Sequence, residues 1–145
     1  MKHATSKDYQ EIKNVFDRWI EAASNRNVDA IMELYHDDIC SYDAVGPLQI
    51  NGRADYYAHW QSCIPDQGDM IFQSQEPVIR ASGHLAVAHF LIRCGIRNPD
   101  GSEQASWMRA TSHLEKQGGH WRIMHEHFSV PFDCDSGEAQ FGLEP

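Results

Sequence analysis

Near its C-terminal end the chain carries the segment Trp121-Arg122-Ile123-Met124-His125-Glu126-His127-Phe128-Ser129-Val130, and the expected architecture follows from it. Aromatic and β-branched residues recur in this segment and glycines precede it, a pattern that predicts a β-strand. Residues two apart on a strand project to one face of the sheet. We therefore expect His125 and His127 on the same face. The same face is expected to carry Trp121, Ile123 and Ser129, which also have odd numbers.

Three earlier segments show the same two-residue periodicity: residues 70–82, 85–97 and 103–116. Short turn clusters separate the four segments: residues 82–84, 98–101 and 117–120. Because links this short join antiparallel neighbours, the four segments predict an antiparallel meander. Pro77 has no backbone N–H, so it predicts a sheet edge or a bulge within the first segment.

The first half of the chain is predicted to be mainly helical. Apolar residues recur every three or four positions within residues 5–23, and a short second helix is predicted from residue 28 to 35. A third helix follows Asn51-Gly52 and ends at Pro65. Three helices before a meander imply an α+β domain with helices on one face of the sheet.

Residues 39–42 are a short strand candidate, and the Gly- and Pro-containing stretch behind them places Asp43 at the strand end. Strand ends beside loops are common positions for chemistry. A strongly curved sheet closed by helices forms a cone with an interior. Asp43 is thus the first candidate for a functional group inside that cone.

Size and charge exclude several classes of protein. The 145 residues suit one domain, which we assign to residues 1–131 with a C-terminal tail at 132–145. The formal charge of −9, from 12 basic and 21 acidic residues, argues against nucleic acid or an anionic membrane as a partner. The four cysteines are widely spaced and no apolar run approaches membrane-spanning length, so we expect reduced thiols and a cytoplasmic location.

Several motifs resemble the NTF2-like superfamily, in particular its SnoaL-like and ketosteroid-isomerase-like branch. The segments at residues 18–21, 27–38 and 42–46 look like the isomerase stretch that runs from the first helix to the catalytic aspartate. Asn51-Gly52-Arg53 and residues 121–129 look like SnoaL-like families and, more distantly, the kinase association domain of the same fold. The resemblance implies a cystatin/NTF2-like cone: three N-terminal helices on a strongly curved antiparallel sheet of four long strands and one short strand.

The resemblance also implies roles for individual residues. Asp43 falls where the isomerase keeps its general base, and Trp19 stands where the isomerase has an oxyanion-binding tyrosine. His127 or Arg109 would steady the developing oxyanion. The other residues expected to contact a ligand in the cone are Tyr57, Trp60, His89, Trp107 and His125.

Each of these residues also has an ordinary structural interpretation. Asp43 could bond its own loop, the two histidines could be satisfied core residues, and Arg109 could form an ion pair. Two histidines at i and i+2 could instead hold a metal with His89 or His113 as a third ligand. Glu126 is predicted on the opposite face of the strand, so we do not expect a metal. The resemblance implies chemistry without a cofactor.

Two functions remain open from the sequence. One is an enzyme for cofactor-independent proton transfer, of isomerase, cyclase or dehydratase type, on a small organic molecule with a carbonyl or carboxylate group. The other is a module that binds a ligand, or assembles, without chemistry. In both cases the resemblance implies a homodimer through the sheet face opposite the pocket.

Overall fold

Three helices cover one face of a single sheet. The computed structural model describes residues 2–145, and its helices are α1 (Ser6–Ser24), α2 (Val28–Met32) and α3 (Arg53–Cys63). Its strands are β1 (Lys2–His3), β2 (Tyr35–Tyr42), β3 (Ile50–Asn51), β4 (Asp69–Ser74), β5 (Val78–Ser82), β6 (Leu85–Arg97), β7 (Glu103–Gln117) and β8 (His120–Ser129). The predicted α+β class is confirmed.

The first helix forms where the sequence predicts it. The Thr5 hydroxyl accepts a hydrogen bond from the backbone N–H of Asp8 (3.1 Å) and donates one to its carboxylate (2.8 Å), which caps the helix N-terminus. One stripe of the helix is buried against the sheet, at the three- and four-residue spacing of an amphipathic helix. Its members are Ile12, Val15, Phe16, Trp19, Ala22 and Ala23.

The sheet is curved, unclosed and mixed, with eight strands in the order β1-β5-β6-β7-β8-β2-β3 and β4 paired to β6. The predicted meander is present as β6, β7 and β8. The structure differs from the expected sheet in two details. β2 lies parallel to β8, because β2 reaches its neighbour by a long connection and not by a hairpin.

The second difference is that residues 70–82 form two strands. β4 and β5 pair with successive parts of β6, through Ser74 opposite Ile92 and Val78 opposite His89. Pro77 lies between the two strands, where it has no N–H to donate to the ladder. The sequence predicted a sheet edge or a bulge at Pro77, and the structure has instead a break between two strands.

A bulge in β8 reverses which of its side chains face the helices. His113 of β7 pairs with His125, but the next residue, Leu114, pairs with Ile123, so Met124 is an extra residue. The expectation that both β8 histidines share a face with Ile123 is wrong, because it assumed uninterrupted alternation. The buried side chains of β8 are Trp121 and Ile123 before the bulge and Glu126 and Phe128 after it.

The core lies between the helices and the inner face of the sheet, and it joins all three helices to β2, β6, β7 and β8. Within residues 2–145, every helix is too short or too polar to cross a bilayer. Beside the α3 end of this core the packing opens into a cavity, which holds the candidate site.

Candidate functional site

A cavity of about 180 Å³ lies between α1, α3, β4 and the inner face of the sheet. Most of its wall is apolar, and much of that is aromatic. The lining residues are Trp19, Asp43, Val45, His59, Trp60, Cys63, Ile64, Met70, Phe72, Cys94, Met108 and Phe128. Burial raises the pKa of the Cys94 thiol to about 12, so this cysteine is a neutral part of the wall. The ionisable pair at the cavity is Asp43 and His59.

Asp43 and His59 are in contact. The Asp43 Oδ2 atom is 3.3 Å from His59 Nε2, and the two side chains are only 18% and 11% exposed. The other carboxylate oxygen, Oδ1, accepts a hydrogen bond from the backbone N–H of Val45 (3.1 Å). The turn residue that packs on His59 is Gly46, where a Cβ atom would lie 2.9 Å from the imidazole. The loop after β2 thus holds the carboxylate against the imidazole.

Behind this pair lies a buried hydrogen-bond network that joins α1, β2, α3 and β8. The Trp19 indole N–H donates to the Tyr35 hydroxyl (2.7 Å), and Tyr35 donates to the Glu126 carboxyl group, with both oxygens at 2.9 Å. Tyr56 also hydrogen-bonds Glu126. The ring of Tyr56 stacks on His59, with ring centroids 6.0 Å apart. The network therefore reaches the Asp43–His59 pair through Tyr56.

The electrostatics of the network follow from burial. Loss of hydration raises the pKa of Glu126 to about 8, although hydrogen bonds from Tyr56 and Tyr35 act to lower it and the charge of Asp43 raises it further. Burial, then the charge of Glu126, raises the pKa values of both tyrosines well above their usual range. Both phenols therefore stay protonated at neutral pH.

Three of the predicted site residues meet at the cavity: Asp43, Trp19 and Trp60. The indole N–H of Trp19 is already used in the bond to Tyr35. The indole N–H of Trp60 is buried and has no hydrogen-bond partner among the described residues. A fourth predicted residue, Tyr57, lies outside the cavity, where it faces Asp29 of α2.

The remaining predicted site residues lie on the outer face of the sheet. Trp107 and Arg109 flank Met108, which lines the cavity, so strand alternation directs both of them away from it. His89 and His127 are exposed, and each is paired in register with the same residue of β7. These residues do not join Asp43.

The outer-face side chains have partners of their own. Trp107 donates its indole N–H to the Glu144 carboxylate of the C-terminal tail (2.9 Å). His125 donates from Nδ1 to the backbone carbonyl of Cys40 (2.7 Å), which ties β8 to β2. The His125 ring also packs on Tyr42 and on His113, at centroid distances of 4.8 and 5.2 Å. Among residues 2–145, no three His, Cys, Asp or Glu side chains are grouped to hold a metal ion.

Sequence reasoning missed His59 and Glu126. His59 lies three residues after Tyr56 and four before Cys63, so its helical spacing to the buried face of α3 was a usable signal. For Glu126 the signal was in the numbering of the apolar residues of β8. Ile123 has an odd number and Phe128 an even number although both are large and apolar, so regular alternation would place them on opposite faces. A change of parity within one strand indicates a bulge.

Comparisons with known proteins identify the family. A family model described as the SnoaL-like domain matches residues 12–133. An NTF2-like protein of unknown function from Pseudomonas putida KT2440 is 39% identical, with 97% of this chain and 99% of that chain covered and a TM-score of 0.89. This chain therefore belongs to the SnoaL-like family of the NTF2-like superfamily. Among curated proteins there is no match.

More distant solved structures share the fold alone. One is a protein proposed to be a dehydratase of the NTF2-like family from Streptomyces avermitilis, at 14% identity, coverage of 87% of this chain and 97% of that chain, and a TM-score of 0.74. Another is the association domain of CaMKII from C. elegans, at 15% identity, coverage of 86% and 96%, and a TM-score of 0.70. The same fold is thus found in a protein described as an enzyme and in a domain described as an association domain.

Proposed function

We propose that this protein binds a small, largely apolar organic molecule in the cavity and catalyses proton transfer on it, with Asp43 as the base. The observation that supports this most is the Asp43–His59 contact at a wall that is otherwise mainly aromatic and aliphatic. A mostly apolar pocket with a few convergent polar groups is typical of small-molecule sites. No cofactor is part of the proposal.

The cavity size limits the ligand. An apolar cavity of about 150 Å³ can hold benzene, and this one has about 180 Å³. The proposed ligand is therefore a single ring or a molecule of similar bulk, with one polar group. The polar group lies toward Asp43, and the ring lies among Trp19, Phe72 and Phe128.

In the proposed reaction the ionised Asp43 removes a proton from a carbon next to a carbonyl group. The C–H electron pair moves toward the carbonyl, whose oxygen gains negative charge, and the proton stays on Asp43. Return of the proton to another carbon gives an isomerisation, and its delivery to a leaving hydroxyl gives a dehydration. The His59 Nε2 atom contacts Asp43 Oδ2 at 3.3 Å and would thereby hold the carboxylate toward the ligand.

Trp60 is the proposed donor to the ligand oxygen. Its buried N–H lacks a partner among the described residues, and leaving such a group unpaired costs about 1–3 kcal/mol. A ligand oxygen would remove that cost. The donors expected from the sequence, His127 and Arg109, have no place in this proposal because both lie on the outer face.

Asp43→Asn tests the base directly. The amide keeps the size of the side chain but cannot accept the proton, so turnover of a small cyclic ketone or hydroxyketone should fall by about 10²–10⁴-fold. Ligand binding, measured by thermal shift, should change far less. Substrates would come from a thermal-shift screen of monocyclic ketones, phenols and small carboxylates.

Asp38→Asn is the matched control, because Asp38 lies on β2, the strand that leads into Asp43, and its side chain is 94% exposed. It should leave turnover unchanged. Equal turnover by the wild type and Asp43→Asn would contradict the assignment of the base. Binding without turnover of any stabilising compound would favour a binding module.

The second candidate function is homo-oligomeric assembly through the outer face of the sheet. Tyr42, His125 and His127 form an aromatic patch there, and the fold is shared with an association domain. Thr111 lies between His89 and His127 in register, so Thr111→Arg would place a charge at the centre of this face. We expect a dimer by sedimentation that Thr111→Arg dissociates. A wild-type monomer would contradict assembly.

Two further sequence predictions remain proposals. The domain is taken to end at residue 131, with residues 132–145 as a tail that is anchored through Glu144 to Trp107. A tail deletion that leaves the melting temperature within a few degrees would support this division. Fractionation with compartment markers would test the cytoplasmic location.

A further inference from the structure

Glu126 is the buried ionisable group that the proposed reaction does not use. It is 1% exposed, on the inner face of β8, where the bulge at Met124 directs it. Glutamate is almost never fully buried in proteins unless it is paired. Its position thus requires an explanation beyond packing.

No cation balances a charge on Glu126. Its hydrogen bonds come from Tyr35 of β2 and Tyr56 of α3, and no salt bridge in the described residues includes it. The contacts from α1 are apolar or aromatic, and β7 contributes only the uncharged Ser112. The ionised group near enough to act on it is the like-charged Asp43. A buried carboxylate without a cation and beside another carboxylate is disfavoured.

The hydrogen-bond network accommodates a neutral acid. Tyr35 accepts from Trp19, so its single proton is donated to Glu126. The proton of a neutral Glu126 can then be donated to the Tyr56 oxygen. Tyr56 would then turn its own proton away from Glu126. The buried Ser41 hydroxyl, opposite Glu126 in register and without a hydrogen-bond partner among the described residues, is a polar group on that side.

The two carboxyl groups differ in their surroundings. Asp43 is partly exposed, accepts a hydrogen bond from a backbone N–H and contacts an imidazole. Glu126 has only the two phenols as partners and the like charge of Asp43 nearby. When two coupled carboxyl groups lie in unlike environments, the charge settles on one and the proton on the other.

We propose that Glu126 is a positioning residue that holds a proton in the resting protein and so leaves Asp43 as the only charged carboxylate of the site. This charge division, with the proton on Glu126 and the negative charge on Asp43, does not depend on the proposed reaction. Its consequence for catalysis does rest on the proposed function.

Infrared spectroscopy of the ligand-free protein tests the charge division. A protonated carboxylic acid absorbs in a region distinct from carboxylates and amides. We expect such a band at pH 6–7, its loss with a midpoint near 8, and its absence in Glu126→Gln. Glu138→Gln, in the exposed tail, is the control and should retain the band. Asp43→Asn should move the midpoint to lower pH, because it removes the neighbouring charge.

Each outcome bears on the proposal. No acid band at pH 6–7, or a band that persists in Glu126→Gln, would overturn it. An unchanged midpoint in folded Asp43→Asn would overturn the coupling between the two carboxyl groups. If Glu126→Gln fails to fold, the wild-type titration and the Asp43→Asn titration still decide the question.

The pH profile separates positioning from a purely structural role. Glutamine reproduces the hydrogen bonds of a neutral acid but cannot ionise. With a substrate found under the proposed function, wild-type kcat/KM should show an inflection near pH 8 that Glu126→Gln lacks. A uniform loss at every pH would mean that Glu126 is only structural. Because the infrared band needs no substrate, failure of the proposed reaction and failure of this inference are distinguishable.

Discussion

The two faces of β8 carry ionisable residues in opposite environments, one buried and the other exposed to solvent. On the inner face Glu126 is fully buried, without a cation, and bonded to two tyrosines. On the outer face, one residue away, His127 is exposed beside Tyr42. Neighbours in sequence thus experience different dielectric surroundings, and burial raises the pKa of Glu126.

The comparison also bears on the position of the proposed site. Histidine is the residue type that most often titrates near neutral pH, which made the outer pair an attractive site. The cavity is on the other side of the sheet, where it brings together a carboxylate from β2 and an imidazole from α3. Two histidines on one strand are therefore a weaker indication of the cavity's position than the helix α3 that closes the cone.

The largest expected difference between the faces is in stability. Glu126→Ala leaves the buried hydroxyls of Tyr35 and Tyr56 without their hydrogen-bond partner and opens a void, so it should lower the free energy of unfolding by about 4 kcal/mol. His127→Ala, on the outer face, should change it by less than about 0.5 kcal/mol. Urea unfolding at pH 7 measures both. Similar costs for the two variants would contradict the inner and outer assignment.

The next effect is a pH dependence of stability. The pKa of Glu126 is about 8 in the folded protein against 4.5 ordinarily, so the folded state binds the proton more tightly. The resulting stabilisation is complete below pH 4.5 and is lost as pH rises through 8. Between pH 6 and 8 the wild type should lose about 2 kcal/mol relative to Glu126→Gln. Urea unfolding of both proteins at a series of pH values checks this. The same pH dependence of the free energy of unfolding in the wild type and in Glu126→Gln would contradict a proton held on Glu126.

A smaller effect is expected at the cavity wall. Trp60→Phe keeps most of the ring surface but removes the unpaired indole N–H, so a bound ketone should lose about tenfold in affinity. Calorimetry with the best ligand of the screen measures the change. Tyr57→Phe, outside the cavity on the same helix, is the control. A larger loss in Tyr57→Phe would place the ligand elsewhere.

The smallest effect concerns the outer histidine that bonds the backbone. His125→Ala removes the donor to the Cys40 carbonyl and should cost about 1 kcal/mol. It should leave turnover unchanged, since His125 lies outside the cavity. A loss of turnover in a well-folded His125→Ala would return this residue to the functional site.

Much of the fold follows from local patterns in the sequence. The Thr5 cap, the apolar stripe of α1, the turns between the long strands and the break at Pro77 each depend on a few neighbouring residues. The family resemblance likewise depends on short motifs, and the family assignment is confirmed. Asp43 was predicted at a strand end, as a group inside the cone, and it directly follows β2 and lines the cavity.

The rest of the site depends on long-range pairing. The position of Met124 as an extra residue is fixed by how β8 pairs with β7, and that single insertion moved Glu126 inward and both histidines outward. Strand alternation alone also gave no way to decide on which side of β7 the cavity lies, so Arg109 and Trp107 were assigned to the wrong face. His59 contacts Asp43 only because the loop after β2 returns to α3.

Methyl NMR with ¹³C-labelled methionine tests the central claim most directly. Met70 and Met108 line the cavity, whereas Met32 and Met124 do not. Titration with a monocyclic aromatic ketone such as acetophenone should shift the Met70 and Met108 methyl signals and leave those of Met32 and Met124 in place. Shifts confined to Met124, beside the histidines, would contradict a ligand site at the Asp43–His59 pair.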